Sequence, residues 1–290
     1  MLSLCNTHLQ IDLLDPVGDR ALLGPRFCWG GFIWQVHDRQ FGPLLSGPEW
    51  PEPAPHPWNA QGLPESFRHR TRAGVPLTWN GDRGVAIGAG ELALNAAGEA
   101  VVSAPCEWKI ASETSAVNFH TAQRAAGFDY ELIRRIELDE RTVISISELT
   151  NHAKNPLQLE WFAHPFFALT DRLISAELPR GTTLGENPGF DVVGRTLIQK
   201  QRFAVAKAGH MDFLKLPEGE NFGAQLGHPT IGRIGFECSF VPAECIIWGN
   251  SNTFSIEPYQ ALALASGQTV KWKLRYVFGK SSEAKSVQSI

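Results

Sequence analysis

Several signals that would assign the chain to a class at once are missing from it. No run of about eighteen apolar residues occurs, so no membrane-spanning helix and no membrane partner are expected. The opening, MLSLCNTHLQIDLLDP, lacks the basic n-region and unbroken apolar h-region of a signal peptide. Cysteines are few: Cys5, Cys28, Cys106, Cys238 and Cys245 are odd in number and widely spread, with no Cys-x-x-Cys. They read as reduced, mostly buried thiols in a cytoplasmic protein. There is no basic excess, since 26 Lys and Arg are scattered among 30 Asp and Glu for a net charge of −4. A nucleic-acid partner is therefore not expected. The histidines form no HxH or HExxH, and no metal site is expected. No GxGxxG or Walker-type loop is present, and the chain is read as needing no cofactor. No segment longer than about ten residues carries a helical 3.6 period, and no internal repeat or low-complexity tract is found.

What is present points to strands. Seventeen Phe and nine Trp accompany 27 Gly and 19 Pro, a composition of many strands joined by turns. The 290 residues fall within reach of one large all-β domain. Arg26 to Val36, RFCWGGFIWQV, reads as an aromatic strand whose Gly pair marks a bulge or close packing. A Pro-rich stretch from Pro51 to Pro57 then leads through WNAQGLPESFRHRTRAGVPLTWNG, which has little periodicity. Long ordered loops of this kind are commonly functional; the plainer alternative is a cover over the end of a sheet. From Gly84 onward, strand follows strand at intervals of roughly ten residues, which means a sandwich or a barrel. Val270, Trp272, Leu274, Tyr276 and Phe278 alternate with Lys271, Lys273 and Arg275 in the cleanest pattern of all, and Trp272 is assigned to the core.

Two strands carry candidate chemistry. In Leu157 to Leu169, LQLEWFAHPFFAL, the residues Leu157, Leu159, Trp161 and Ala163 take one face and Gln158, Glu160, Phe162 and His164 the other. In Thr253 to Gln260, TFSIEPYQ, Phe254 and Ile256 oppose Thr253, Ser255 and Glu257. One His and one Glu, each ending the polar side of a strand, form a candidate acid–base pair.

These residues resemble a known family. The succession Tyr130 to Leu138, a hairpin, the Leu149-Thr150-Asn151 turn, and then Trp161-Phe162-Ala163-His164-Pro165-Phe166-Phe167 is similar to the aldose 1-epimerase, or galactose mutarotase-like, superfamily. Phe254-Ser255-Ile256-Glu257-Pro258-Tyr259-Gln260, a Gly267-Gln268 turn and a final Trp-bearing strand match in order, and the early Gly-Pro-Glu-Trp-Pro is also similar. The resemblance spans roughly residues 26 to 279. It implies a large, twisted antiparallel β-sandwich in a single domain over 1–290, with its core over about 26–279 and a loose tail at 280–290. It also implies a sugar bound on the polar concave face of one sheet, with His164 as general acid and Glu257 as general base. The family's early-loop His-Gly or Asn-Arg signature is absent. Gly62 to Arg70 stands in its place and offers Arg68, His69 and Arg70. Trp248-Gly249-Asn250 occupies the neighbourhood of a usual acidic sugar ligand, which makes Trp248 and Asn250 candidates.

The implied activity is mutarotation of a hexose or related sugar, in which a base takes the C1 hydroxyl proton while an acid protonates the ring oxygen. Glu257 would start ionised and His164 protonated, a charge state their mutual attraction favours. Trp58, Phe166 or Trp248 would stack on the pyranose, and Arg68 or Arg70 would hold hydroxyls, or the phosphate of a sugar phosphate. The ligand is thus a small sugar or sugar phosphate, and the chain is expected to be a monomer or weak homodimer. Two other readings stand beside this one. The first is a carbohydrate-binding protein without turnover on the same scaffold. The second is a glycoside hydrolase or lyase; hydrolysis needs a second carboxylate such as Glu65 or Glu160. A lone His or a Glu at a strand end is ordinarily a packing or solvated edge residue; His120, His152, His210 and His228 are read that way.

Overall fold

A computed structural model describes residues 1–205 and 208–279. The expected tail at 280–290 lies outside the described residues. Among those described, the regular structure is antiparallel strand apart from one 3-10 turn at Arg20–Leu22. The strands form a ten-stranded sheet, a seven-stranded sheet and two small four-stranded sheets. In the ten-stranded sheet the long strands Ala116–Ala125, Phe128–Asp139, Thr142–Asn151 and Thr269–Phe278 lie side by side. In the seven-stranded sheet Thr253–Leu264 runs between Leu157–Ala163 and Glu244–Gly249, with Glu65–Arg68 at one edge and His210–Lys215 beyond Glu244–Gly249.

The apolar faces of the two large sheets meet. Trp161 of the smaller packs edge-on against Trp272 of the larger at 5.1 Å, and Phe167 meets Phe236 at 6.0 Å. Each of these side chains is fully buried, a gain of roughly 1.5–3 kcal/mol apiece. Lys271 and Lys273 point outward from the same strand that buries Trp272, Leu274, Tyr276 and Phe278, as alternation requires. One polar link crosses the interior. Arg134 Nη2 donates to Glu65 Oε1 at 2.6 Å, and Ser145 Oγ donates to the same oxygen at 2.6 Å. Both charges are almost wholly buried, so the pairing offsets a desolvation cost that either ion alone could not carry.

Two local readings change. Residues 26–32 are not strand; the strand is Ile33–Asp38. The glycine pair explains this: a Cβ on Gly30 would come within 2.3 Å of the Trp108 ring, and Gly31 has φ +73°. The segment is a tight turn pressed against an indole. The ordered core also starts well before residue 26. Leu2–Cys5 and Leu9–Leu13 form a hairpin that continues onto Ile33–Asp38, burying Leu9, Ile11 and Leu13.

The register between Leu157–Ala163 and Thr253–Leu264 positions the site. Phe162 stands opposite Tyr259 and Trp161 opposite Gln260. Beyond the chain's Pro165, Phe167 is again opposite Phe254 in the same register. Continuing the ladder two residues from Phe162 sets His164 opposite Glu257, on the face shared by Phe162 and Tyr259.

Candidate active site

This face of the seven-stranded sheet floors a cavity of about 820 Å³. Three neighbouring strands reach it: Phe162 from one, with His164 and Phe166 just past its end in the same alternation, Glu257 and Tyr259 from the next, Ile246 and Trp248 from the third. The edge strand adds Ser66 and Arg68, and the chain continues through His69, Arg70 and Arg72 along one wall. The irregular, Pro-rich segment supplies Trp58 and Asn59, so the loop expected to be functional or merely a cover is part of the wall.

At the floor His164 Nε2 and Glu257 Oε1 are 3.4 Å apart, with 5% and 6% of their side chains exposed. Their alternation puts them on the polar face of their strands, yet the face is closed over. Phe27, Phe162, Phe166 and Trp248 surround the imidazole, Phe166 at 4.4 Å between ring centroids. Burial, helped by the nearby Arg26 guanidinium, pushes His164 well below its ordinary pKa. Burial also raises the Glu257 carboxyl to about 7, against the opposing pull of Arg26 and a hydrogen bond from Tyr259. Tyr259 Oη donates to Glu257 Oε2 at 3.3 Å, and its ring stacks on Phe162 at 4.4 Å.

The charge state expected from attraction alone is therefore reversed. Desolvation outweighs the pair's mutual attraction, so His164 is neutral and Glu257 shares its proton with solvent near neutrality. His164 Nδ1 meets no hydrogen-bond partner among the described residues, which removes the support a buried imidazolium needs.

Of the residues singled out from the sequence, His164, Glu257, Arg68, His69, Arg70, Trp58, Phe166 and Trp248 all line this cavity. Asn250 does not. It is buried in the turn after Trp248, where Oδ1 accepts the backbone N–H groups of Asn252 and Thr253 and Nδ2 donates to the Pro48 carbonyl. An Asn before a strand is a common turn-former, and that geometry aims its side chain into its own loop. Glu65 and Glu160, the carboxylates a hydrolase would need, also lie off the cavity lining; Glu65 faces the interior with Arg134, and Glu160 pairs with Arg68 at 3.4 Å. His120 and His152 pair with Glu131, and His228 Nε2 hydrogen-bonds the Leu44 carbonyl, all away from the site.

Among the lining residues not anticipated, Tyr259, Arg72 and Arg26 bear most directly on the site. Tyr259 had a signal, since it sits two positions after Glu257 and shares its phase. Arg72 had one too, as the third member of an Arg-x-Arg-x-Arg alternation. It forks onto Glu244 through both guanidinium nitrogens, at 2.5 and 3.3 Å, which ties the loop to the far side of the cavity. Arg26 had none. It reaches the site from a distant turn, donating to the Trp58 carbonyl at 2.8 Å and lying over the Trp58 ring.

Among the described residues no group of three or more His, Cys, Asp or Glu could hold a metal ion. Among the described residues no helix is long and apolar enough to cross a membrane.

No family model and no curated protein matches the chain by sequence. Solved structures do match it. A galactose mutarotase related enzyme from Lactobacillus acidophilus superposes with a TM-score of 0.63 at 12% identity, over 97% of this chain and 98% of its own. A galactose mutarotase-like protein from Lactobacillus casei gives 0.61 at 14% identity, over 96% and 99%. An aldose epimerase homologue from C. elegans gives 0.53 at 11% identity, over 96% and 98%. The chain has the galactose mutarotase-like β-sandwich fold.

Proposed function

We propose that the protein is an aldose 1-epimerase, interconverting the α and β anomers of a sugar with His164 and Glu257 as its acid–base pair. The observation that carries this reading is the 3.4 Å approach of the two side chains at the floor of a sugar-sized cavity. Mutarotation moves one proton from the C1 hydroxyl and delivers one to the ring oxygen. Both oxygens are bonded to the same carbon, so the acid and the base must be immediate neighbours. Glycoside hydrolysis instead asks for two carboxylates about 5–9.5 Å apart.

In the reaction the base takes the C1 hydroxyl proton, the acid protonates the ring oxygen, and the C1–ring-oxygen bond breaks to give the open aldehyde. Rotation about C1–C2 and the reverse transfers close the ring on the other face. The pair must hold one proton and only one. With His164 kept neutral and Glu257 at about 7, the singly protonated pair is the form present just below neutrality. Each half-reaction leaves acid and base with roles exchanged, and the return step restores them, so the pair acts as a unit. The Phe166 ring beside His164 and the indole of Trp248 supply an apolar wall for the pyranose.

The test is polarimetry of freshly dissolved α-D-glucose, α-D-galactose and glucose 6-phosphate with and without the protein. Faster decay of rotation with any of them supports an epimerase. Unchanged decay with all three moves the reading to sugar binding without turnover.

A further inference from the structure

We propose that the site selects a sugar bearing an anionic group, a phosphate monoester or a carboxylate, on the carbon remote from the anomeric centre, held by Arg68, His69 and Arg70. The inference takes the anomeric carbon to sit at His164 and Glu257, and so rests on the epimerase reading.

The first observation is local charge. The cavity wall carries Arg26, Arg68, Arg70 and Arg72 against two carboxylates, Glu49 and Glu257, in a chain whose net charge is −4. The second is how unevenly these cations are compensated. Arg72 is forked on Glu244, and Arg26 is held by a carbonyl and the Glu257 field. Arg68 approaches Glu160 only to 3.4 Å. Arg70 forms no ion pair among the described residues; it reaches the Gly74 carbonyl at 3.5 Å and lies over the Trp79 ring at 4.5 Å. Stacking of that kind orients a guanidinium without consuming its charge or its in-plane donors.

The third observation is His69. Trp79 Nε1, which can only donate, points at His69 Nδ1 at 2.9 Å, so the ring proton resides on Nε2. Burial, then Arg70 and Arg68, press the imidazole down to about 4, which keeps it neutral. The wall therefore presents two guanidiniums and a neutral N–H donor, all donors, and no acceptor among the three. That set suits an oxyanion and serves a hydroxyl poorly.

The fourth is position. Arg68 pairs with Glu160, four residues from His164 along the neighbouring strand. One strand across and four residues along is roughly 14 Å between Cα positions. Side chains extended from both ends leave room for one pyranose ring and a substituent on its far carbon. An anion on C1 itself would lie at the wrong end.

The test is calorimetric binding of 1,5-anhydroglucitol, its 6-phosphate and its 6-carboxylate analogue to the full chain. None has an anomeric hydroxyl, so none can be turned over, and binding is read apart from catalysis. At least one anionic ligand is expected to bind about a hundredfold more tightly than the neutral one, with Arg70→Gln and Arg68→Gln each removing about tenfold of that advantage. Tighter binding of the phosphate or of the carboxylate names the source of the charge. Neutral and anionic ligands within threefold of each other, or no binding of any of the three, overturn the proposal. Anion-selective binding lost in Arg68→Gln and Arg70→Gln, without acceleration of any anomer exchange, would keep the anion-binding wall and overturn the epimerase reading together with the placement of the anomeric carbon.

Discussion

Replacing Glu257 by Gln should stabilise the protein while silencing it, and the gain should grow with pH. Burial raises this carboxyl from 4.5 to about 7 in the folded chain. An acid with a raised folded pKa contributes stability that is fully present below the unfolded value and is lost as pH rises through the folded one. Between those limits the unfolded chain is ionised freely while the folded chain resists ionisation. The rise from 4.5 to about 7 corresponds to about 3 kcal/mol once pH exceeds 7. Glu257 is 5% exposed, so solvent screening does not reduce this much. Glutamine keeps the shape, still accepts the Tyr259 hydroxyl, and has no charge to desolvate. Its advantage over wild type should be less than about 1 kcal/mol at pH 5 and near 3 kcal/mol at pH 8. For a chain of this size that is roughly 6 °C in Tm at the higher pH. Thermal unfolding of both proteins at the two pH values is the assay. A variant no more stable than wild type at pH 8, or an advantage that does not change with pH, would refute the view that Glu257 is a strained, desolvated acid.

Other substitutions probe other links. His164→Asn should lower the rate of anomer exchange by about 10²–10⁴-fold with a small change in sugar affinity; an unchanged rate removes His164 from the proton transfer. Tyr259→Phe removes a donor to the Glu257 carboxylate, so the group titrates higher. The alkaline limb of kcat/KM against pH, expected near 7 in wild type, should move up by about half a unit to one unit. Gly62→Ala should cost at least about 3 kcal/mol in urea unfolding: Gly62 has φ +78°, and a Cβ there would lie 2.3 Å from the Ile33 carbonyl oxygen. Arg134→Met should cost about 3–5 kcal/mol by the same measure, because it strands the Glu65 carboxylate between the sheets.

The strand phases are legible because one face of each strand is apolar throughout. Leu157, Leu159, Trp161 and Ala163 announce their side of the sheet, and the polar phase then delivers His164 to the other without any tertiary information. Glu257 is legible in the same way, and the register that brings the two together follows from two strands that pair along most of their length. What alternation leaves open is solvent. The pattern marks the face of His164 as polar, but four aromatic rings from three separate segments close around it and reverse its charge state. Arg26 escapes for a related reason. It belongs to a turn made by steric contact between Gly30 and Trp108, a pairing of residues far apart in the chain that no local period encodes. Asn250 misleads because the same side chain serves a turn as readily as a sugar.

The claim at the centre is that His164 and Glu257 act as one unit on one proton. The measurement that tests it most directly is the anomer-exchange rate of the responsive sugar in wild type, His164→Asn, Glu257→Gln and the double variant at pH 7. Groups acting as a unit give strongly non-additive losses, so each single variant and the double should fall to nearly the same residual rate. A single variant that keeps the wild-type rate, or losses that multiply in the double, would contradict the pair.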